Sequence, residues 1–368
     1  MKSLFVLLSM ITLAPFASKS QKPALDSIFP VRGLCIEAPL SNIVDSFVIF
    51  IDKELAPRKL NTLILRVDYN YQYQSHPELV DTMPLSKADI KKLVSICKKH
   101  KIRLIPQINL LGHQSWATHL GKLLQVYPQF DETPHVQIPK KYAWPNPDGL
   151  YCKSYCPQHP DVHRVVFDLV NEICEVFETD AFHAGMDEVF YIGDDKCPRC
   201  QGHDKAKLFA NEIWKIRDHL ALKNRQLWIW GDRLLEGKVS GLGMWEASYN
   251  NTHQAIDLIP RDVFICDWHY ERPDKTPVIF ANKGLTVATA PWRNAELTAV
   301  QVEDMARFRK HATPQVRNHY AGLVQTVWSP AVFFMREAYR SKLDKNFKGM
   351  GQWASFVAMS EKMQELAH

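Results

Sequence analysis

Long blocks of one charge, low-complexity tracts and internal repeats are all missing from this 368-residue chain, so nothing in its composition argues for a disordered or repetitive protein. Its net charge is only +5, with Lys and Arg spread throughout, and without a basic stripe there is no footprint for a nucleic acid. Clusters such as Lys98-Lys99-His100 close an expected helix, where cations suit the helix dipole. Eight cysteines are too few for a disulfide scaffold, and no His-Glu-x-x-His pattern is present. One extended apolar run occurs, Leu4 to Pro15, preceded by Lys2 and followed by Ser18 and Ser20. It is too short and wrongly flanked for a spanning helix, so residues 1–20 read as a secretory signal. No cysteine follows the expected cleavage point to take a lipid, the next being Cys35. The expectation is an exported chain, secreted or periplasmic, with no membrane anchor.

What is present is enough apolar residue, 46%, for a full core. Short apolar segments recur at 31–37, 61–67, 102–108, 181–185, 226–230, 262–266, 285–289 and 322–327. Segments of helical spacing separate many of them, near 42–55, 86–100, 161–178, 205–223, 276–283 and 296–311, and 351–368 reads as a terminal helix packed outside. Eight strands alternating with helices imply an α/β fold, a (β/α)8 TIM barrel spanning 21–368 as a single unit, with an open doubly wound sheet as the alternative. The barrel is favoured because polar or aromatic residues follow nearly every strand: Glu37, Asp68, His113, Asp187, Trp230, Trp268, Trp292 and Trp328. In such a barrel those positions converge on one face. The stretch 115–160, rich in Pro, Tyr and Trp, is too long for an ordinary connection and is expected to shape that face.

The central segment, Ala181-Phe-His-Ala-Gly-Met-Asp-Glu-Val-Phe-Tyr-Ile-Gly193, ends an apolar run at adjacent carboxylates. Buried neighbouring acids repel each other, so Asp187 and Glu188 need partners or work to do. Four tryptophans at strand ends beside an acid pair suit a sugar, whose apolar face stacks on aromatic rings. Trp214 and Trp245, in or beside expected helices, read as structural. Cys35, Cys97, Cys174 and Cys266 lie in apolar segments and read as core. Cys152, Cys156, Cys197 and Cys200 lie in polar loops around the acids and could form disulfides or a structural zinc site, with His203 a further possible ligand.

His183-Ala-Gly-Met-Asp187-Glu188-Val resembles the His-x-Gly-x-Asp-Glu-Val motif of family 20 glycoside hydrolases, the β-N-acetylhexosaminidases, and most of all their hexosaminidase D-like branch. Arg32-Gly33, Pro106 with Gly112-His113, Trp230 and Trp328 are supporting matches. The resemblance implies substrate-assisted hydrolysis of a glycan bearing a β-linked N-acetylhexosamine, with no cofactor and no catalytic metal. Asp187 would orient the substrate's acetamido group, and Glu188 would act as general acid and then base. Arg32 would hold sugar hydroxyls, His113 would sit near Glu188, and Trp230, Trp268, Trp292 and Trp328 would line the sugar site.

The chain departs from that pattern in several places. Gln107 and Asn109 stand where many members carry acids, so no acidic partner for His113 is evident there. Ala290-Pro-Trp-Arg-Asn294 lacks the tyrosine that bonds the acetamido group, leaving Tyr270 as a substitute, and Trp328-Ser-Pro330 lacks the nearby glutamate that often follows the last-strand tryptophan. The small β-domain that often precedes the barrel in this family is also not evident. Two other readings stand beside the enzyme: a carbohydrate-binding barrel without turnover, and a metal-dependent hydrolase using the cysteines or His113 and His183.

Overall fold

Eight parallel strands close into a barrel in the computed structural model, which describes residues 25–141, 152–343 and 351–367. The expected signal segment, 1–20, lies outside the described residues. The strands are β1 (Val31–Glu37), β2 (Thr62–Arg66), β3 (Arg103–Leu110), β4 (Ala181–Gly185), β5 (Gln226–Trp230), β6 (Phe264–Trp268), β7 (Thr286–Ala290) and β8 (Tyr320–Val327). Closure is made by β1 against β8, in register from Val31↔Gly322 to Ile36↔Val327, and that pairing rules out the open sheet.

Alternation along each strand sorts side chains between two cores. On β1, Leu34 and Ile36 join the large cluster beneath the helices, whereas Cys35 joins Ile64, Ile105, Trp228, Cys266 and Val324 in the inner cluster. Trp228 stacks on Phe264 at 3.6 Å within the inner cluster. The barrel is therefore a packed core, and only the ends of its strands are available for chemistry.

The helices follow their sequence signals closely. The helix Lys87–Lys99 opens with a complete capping box between Ser86 and Asp89, and the terminal helix Gln352–Ala367 packs against Ala295–His311. Two features depart from expectation. β6 begins at Phe264, two residues later than its apolar run, and a helix at Ala331–Leu343 follows β8. Between β5 and β6 the described chain makes only short turns, Asp232–Leu234, Gly237–Ser240 and Thr252–Asp257, so this link is a broad loop at the strand ends. The long 115–160 stretch contributes a two-stranded hairpin, Ser115–Trp116 with His119–Leu120. Among the described residues no helix is long and apolar enough to cross a membrane.

Two glycines let β3 and β4 approach at their ends. A Cβ on Gly112 would lie 2.5 Å from the backbone oxygen of Asp187, and one on Gly185, where φ is +67°, would lie 2.3 Å from Asn109 Oδ1. Because the first obstacle is backbone, it cannot rotate aside. Gly112→Ala is expected to cost about 1–3 kcal/mol, read as a lower urea midpoint with an unchanged m value; an unchanged midpoint would mean that these loops move apart freely.

Candidate active site

The acids sit on a strained turn at the end of β4. Positive φ values occur at Gly185, Met186 and Glu188, and across the site at Leu111 and His113, conformations that non-glycine residues hold only when their surroundings enforce them. The enforcement is visible. The Glu188 amide donates to Asp232 Oδ2 at 2.9 Å, and Asn250 Nδ2 donates to the Val189 and Phe190 carbonyls at 2.9 and 3.0 Å. Asp232 also accepts from Arg233 Nε at 2.7 Å and Trp268 Nε1 at 3.3 Å. The buried Arg233 in turn donates to the carbonyls of Met244, Trp245 and Ala247, each at 2.8 Å, which ties the β5–β6 loop to the acid turn.

His113 joins the two acids. Its Nε2 lies 3.1 Å from Asp187 Oδ2 and 3.4 Å from Glu188 Oε2, while its Nδ1 faces Cys152 Sγ at 3.3 Å. Asp187 is 5% exposed, and its other oxygen, Oδ1, receives no hydrogen bond from another described residue. A cavity of about 860 Å³ opens over the pair. It is lined by Trp245, Trp268, Tyr270, Trp292 and Trp328 together with the polar groups of Arg66, Asp68 and Asn109. Apolar walls with a few convergent polar groups make a small-molecule site.

The family profile described as glycosyl hydrolase family 20, catalytic domain, matches residues 50–364. The chain belongs to that family. Among curated proteins it is similar to a "Beta-hexosaminidase" of Akkermansia muciniphila, 29% identical over 32% of this chain and 22% of the relative. It is also similar to "Beta-hexosaminidase 1" of Coccidioides posadasii, 23% identical over 66% of this chain and 40% of that protein. The chain thus spans well under half the length of these curated relatives. In fold it resembles a crystal structure of a β-N-acetylhexosaminidase, with a TM-score of 0.64 at 17% identity, covering 92% of this chain and 75% of that one.

Against this family frame most of the expected residues meet, and several do not. Asp187, Glu188, His113, Trp268, Tyr270, Trp292 and Trp328 all border the cavity. Arg32 does not. As the second residue of β1 it lies at the opposite end of the barrel, bonded to Asp26, the Phe29 carbonyl and the Lys59 carbonyl. Its place at the mouth is taken by Arg66, the last residue of β2, whose guanidinium lies 4.8 Å over the Trp328 ring. Trp230 does not line the cavity: wholly buried in the inner barrel core, it packs 4.6 Å from the His183 ring and 5.5 Å from Trp328, behind the wall. Trp245, expected to be structural, is a wall. Cys152 stands apart from the other loop cysteines, with its sulfur 3.5 Å from Glu188 Oε2. No sequence pattern marked Cys152 as a site residue, whereas Asp232 and Arg233 could have been found by their place two and three residues past a strand end.

The acids titrate in opposite directions. Burial pushes the Glu188 carboxyl up to about 7, reinforced by the charges of Asp187 and Asp232 and opposed by His113 and Arg233. Asp187 is also penalised by burial, but the His113 ring bonded to it outweighs this and holds its carboxyl below the usual range. His113 is correspondingly raised: burial opposes its charge, but Asp187 and Cys152 favour it. The pocket therefore pairs an ionised Asp187 and an imidazolium with a Glu188 poised to hold or release its proton near neutral pH, so that the two acids differ in charge although adjacent.

This arrangement makes Glu188 a stability liability at high pH. Its folded pKa of about 7 lies above the unfolded value of about 4.5, so the folded state holds the proton longer. The penalty is absent below about pH 4.5, grows as pH rises to about 7, and amounts to at most about 3 kcal/mol beyond. Glu188→Gln is expected to melt at higher temperature than the parent at pH 8 and at a similar temperature at pH 4.5. Equal displacement at both pH values would show that Glu188 ionises normally in the fold.

Proposed function

We propose that this chain is an exported, exo-acting, retaining β-N-acetylhexosaminidase that releases terminal N-acetylhexosamine from glycans with help from the substrate's own acetamido group. The observation that carries the reading is the buried, ionised Asp187 with one oxygen unpaired, set in an aromatic cavity beside a Glu188 whose carboxyl burial pushes up to about 7. Export rests on the composition of residues 1–20 alone, and exo action on the likeness to family 20 enzymes.

In the first step Glu188 gives its proton to the glycosidic oxygen, and the bond from that oxygen to the anomeric carbon breaks. The acetamido carbonyl oxygen bonds to the same carbon, and the resulting oxazolinium-like ring carries its positive charge beside Asp187. Asp187 Oδ1 accepts the acetamido N–H. In the second step Glu188, now a carboxylate, takes a proton from water as the water oxygen attacks the anomeric carbon and the ring reopens. Two displacements give net retention. Tyr270 supplies the matching donor. Its oxygen already accepts from Trp328 Nε1 at 2.8 Å, and its proton has only Thr326 Oγ1 at 3.3 Å, so it is available to the acetamido carbonyl oxygen. Arg66, whose Nε is buried without an acceptor, offers donors to ring hydroxyls.

Wild type should hydrolyse an aryl β-N-acetylglucosaminide and leave the matching aryl β-glucoside intact. Asp187→Ala and Glu188→Ala should each lose on the order of 10²-fold or more in kcat, with Glu188→Ala rescued by azide as a β-glycosyl azide. Failure to cleave either compound while the acetamido sugar still binds would point instead to a binding barrel.

The two arginines separate the mouth of the barrel from its base. Arg66→Ala should lower kcat/KM at least tenfold at a cost of about 1.5–3 kcal/mol in lost charged hydrogen bonds, whereas Arg32→Ala should change Tm and leave kcat/KM within twofold. The opposite pattern would reverse the assignment of Arg66.

A further inference from the structure

The acid turn is followed by a second cluster that the hydrolytic mechanism does not use. Cys197-Pro-Arg-Cys200 folds back so that both sulfurs face Cys156, with Cys156 Sγ at 3.6 Å from Cys197 Sγ and 3.4 Å from Cys200 Sγ. Glu132 completes the group: one of its carboxylate oxygens and the three sulfurs all lie within 4.8 Å of one another. Every member is buried, Glu132 wholly so. Its Oε1 accepts from the Asp194 amide at 3.0 Å, and the carboxylate otherwise faces the Cys197 and Cys200 thiols. A buried carboxylate whose only side-chain donors are weak S–H groups is costly, and a cation satisfies it and the sulfurs together.

The spacing argues for a metal over a disulfide. Two bonded sulfurs lie about 2.05 Å apart, and three sulfurs cannot all be paired. Thiolates about 2.3 Å from a tetrahedral zinc stand about 3.8 Å from each other, close to the two separations found here. Backbone amides of Arg199 and Cys200 are directed at Cys197 Sγ and that of Gln158 at Cys156 Sγ, as thiolates require. The expected ligand His203 is exposed and the expected fourth cysteine, Cys152, lies at the active site instead; Glu132 takes the fourth position.

We propose that Glu132, Cys156, Cys197 and Cys200 bind one structural zinc ion, which clamps the acid-bearing loop to the long β3 loop. The connections on both sides support that role. Glu132 and Cys156 ride on paired segments, with the Glu132 amide donating to the Ser154 carbonyl at 3.1 Å and that of Cys156 to the Phe130 carbonyl at 2.7 Å. The same strip carries Cys152 to His113 and Glu188. Cys197 and Cys200 terminate the turn that begins at Asp187. A metal between them closes a ring of contacts around Glu188.

The test is elemental analysis of the full-length protein purified without reductant, together with thiol titration after denaturation in chelator. One zinc per chain and eight titratable thiols are expected. Protein grown in cobalt should show thiolate-to-cobalt charge transfer in the near ultraviolet and the intense visible bands of a tetrahedral ion. Glu132→Gln should lose metal to a chelator at least tenfold faster than the parent, and Cys174→Ala, which alters a core thiol elsewhere, should keep it. Six thiols and no metal would replace the zinc with a disulfide, and eight thiols with no metal would leave only buried thiols; either overturns the proposal.

Discussion

Two consecutive carboxylates can share a buried pocket here because the imidazole of His113 lies against both. Without it, burial and mutual repulsion would push both acids toward their neutral forms. The ring is bonded to Asp187 and stands slightly farther from Glu188, so it favours the charge of one acid more than that of the other. Asp187 is thereby fixed as the anion and Glu188 as the proton donor. Cys152 holds the far nitrogen of the ring, an unusual neutral partner where a carboxylate would otherwise stand. A second full anion at that position would compete with Asp187 for the imidazolium, and the thiol avoids that competition.

That electrostatic arrangement depends on a backbone no ordinary turn would supply. Met186 and Glu188 take left-handed conformations that send successive side chains in divergent directions, so the acids can address different atoms of one ring. Strain of about 1–3 kcal/mol per such residue persists only if neighbours over-determine the turn. Asp232 grips its amide, Asn250 its carbonyls, and Gly112 and Gly185 permit the close approach from β3. Arg233 links this turn to the loop bearing Trp245 and Glu246, so the acids and the aromatic wall share one support.

The barrel was legible because short, continuous apolar runs and helical spacing alternate along the chain, and the acids because an apolar strand rarely ends in two carboxylates without purpose. The arginine was misplaced although its position held the answer: in a parallel barrel the second residue of a strand lies at the base and the last residue at the mouth, which separates Arg32 from Arg66. Trp230 was misjudged for a related reason, since a strand-end aromatic can point into the barrel and join its core. Cys152 and Glu132 were beyond reach. Sequence spacing grouped four loop cysteines, but a thiol and a carboxylate exchange places only once the long β3 loop is folded, and nothing local to either residue records that.

The hydrogen-bond inventory of the pocket favours an amide over a hydroxyl. Asp187 Oδ1 is an acceptor without a donor, and the Tyr270 proton is a donor with only a long contact. A secondary amide carries one N–H and one carbonyl oxygen, so it satisfies both groups through a rigid, planar unit. A 2-hydroxyl can also donate to the carboxylate and accept from the tyrosine, but it must reach both from a single oxygen close to the ring, whereas the amide presents its N–H and its carbonyl oxygen on opposite sides of a longer unit. Leaving a buried, charged acceptor incompletely paired costs at least about 1–3 kcal/mol, and sites built around a required polar group discriminate against ligands lacking it more strongly than apolar pockets sense an extra methylene. In the mechanism we propose, the discrimination grows along the reaction coordinate, because there the acetamido group also supplies the nucleophile. On that proposal binding selectivity and chemical competence rest on the same two groups, and a side chain as tightly held as Asp187 keeps one oxygen for the substrate.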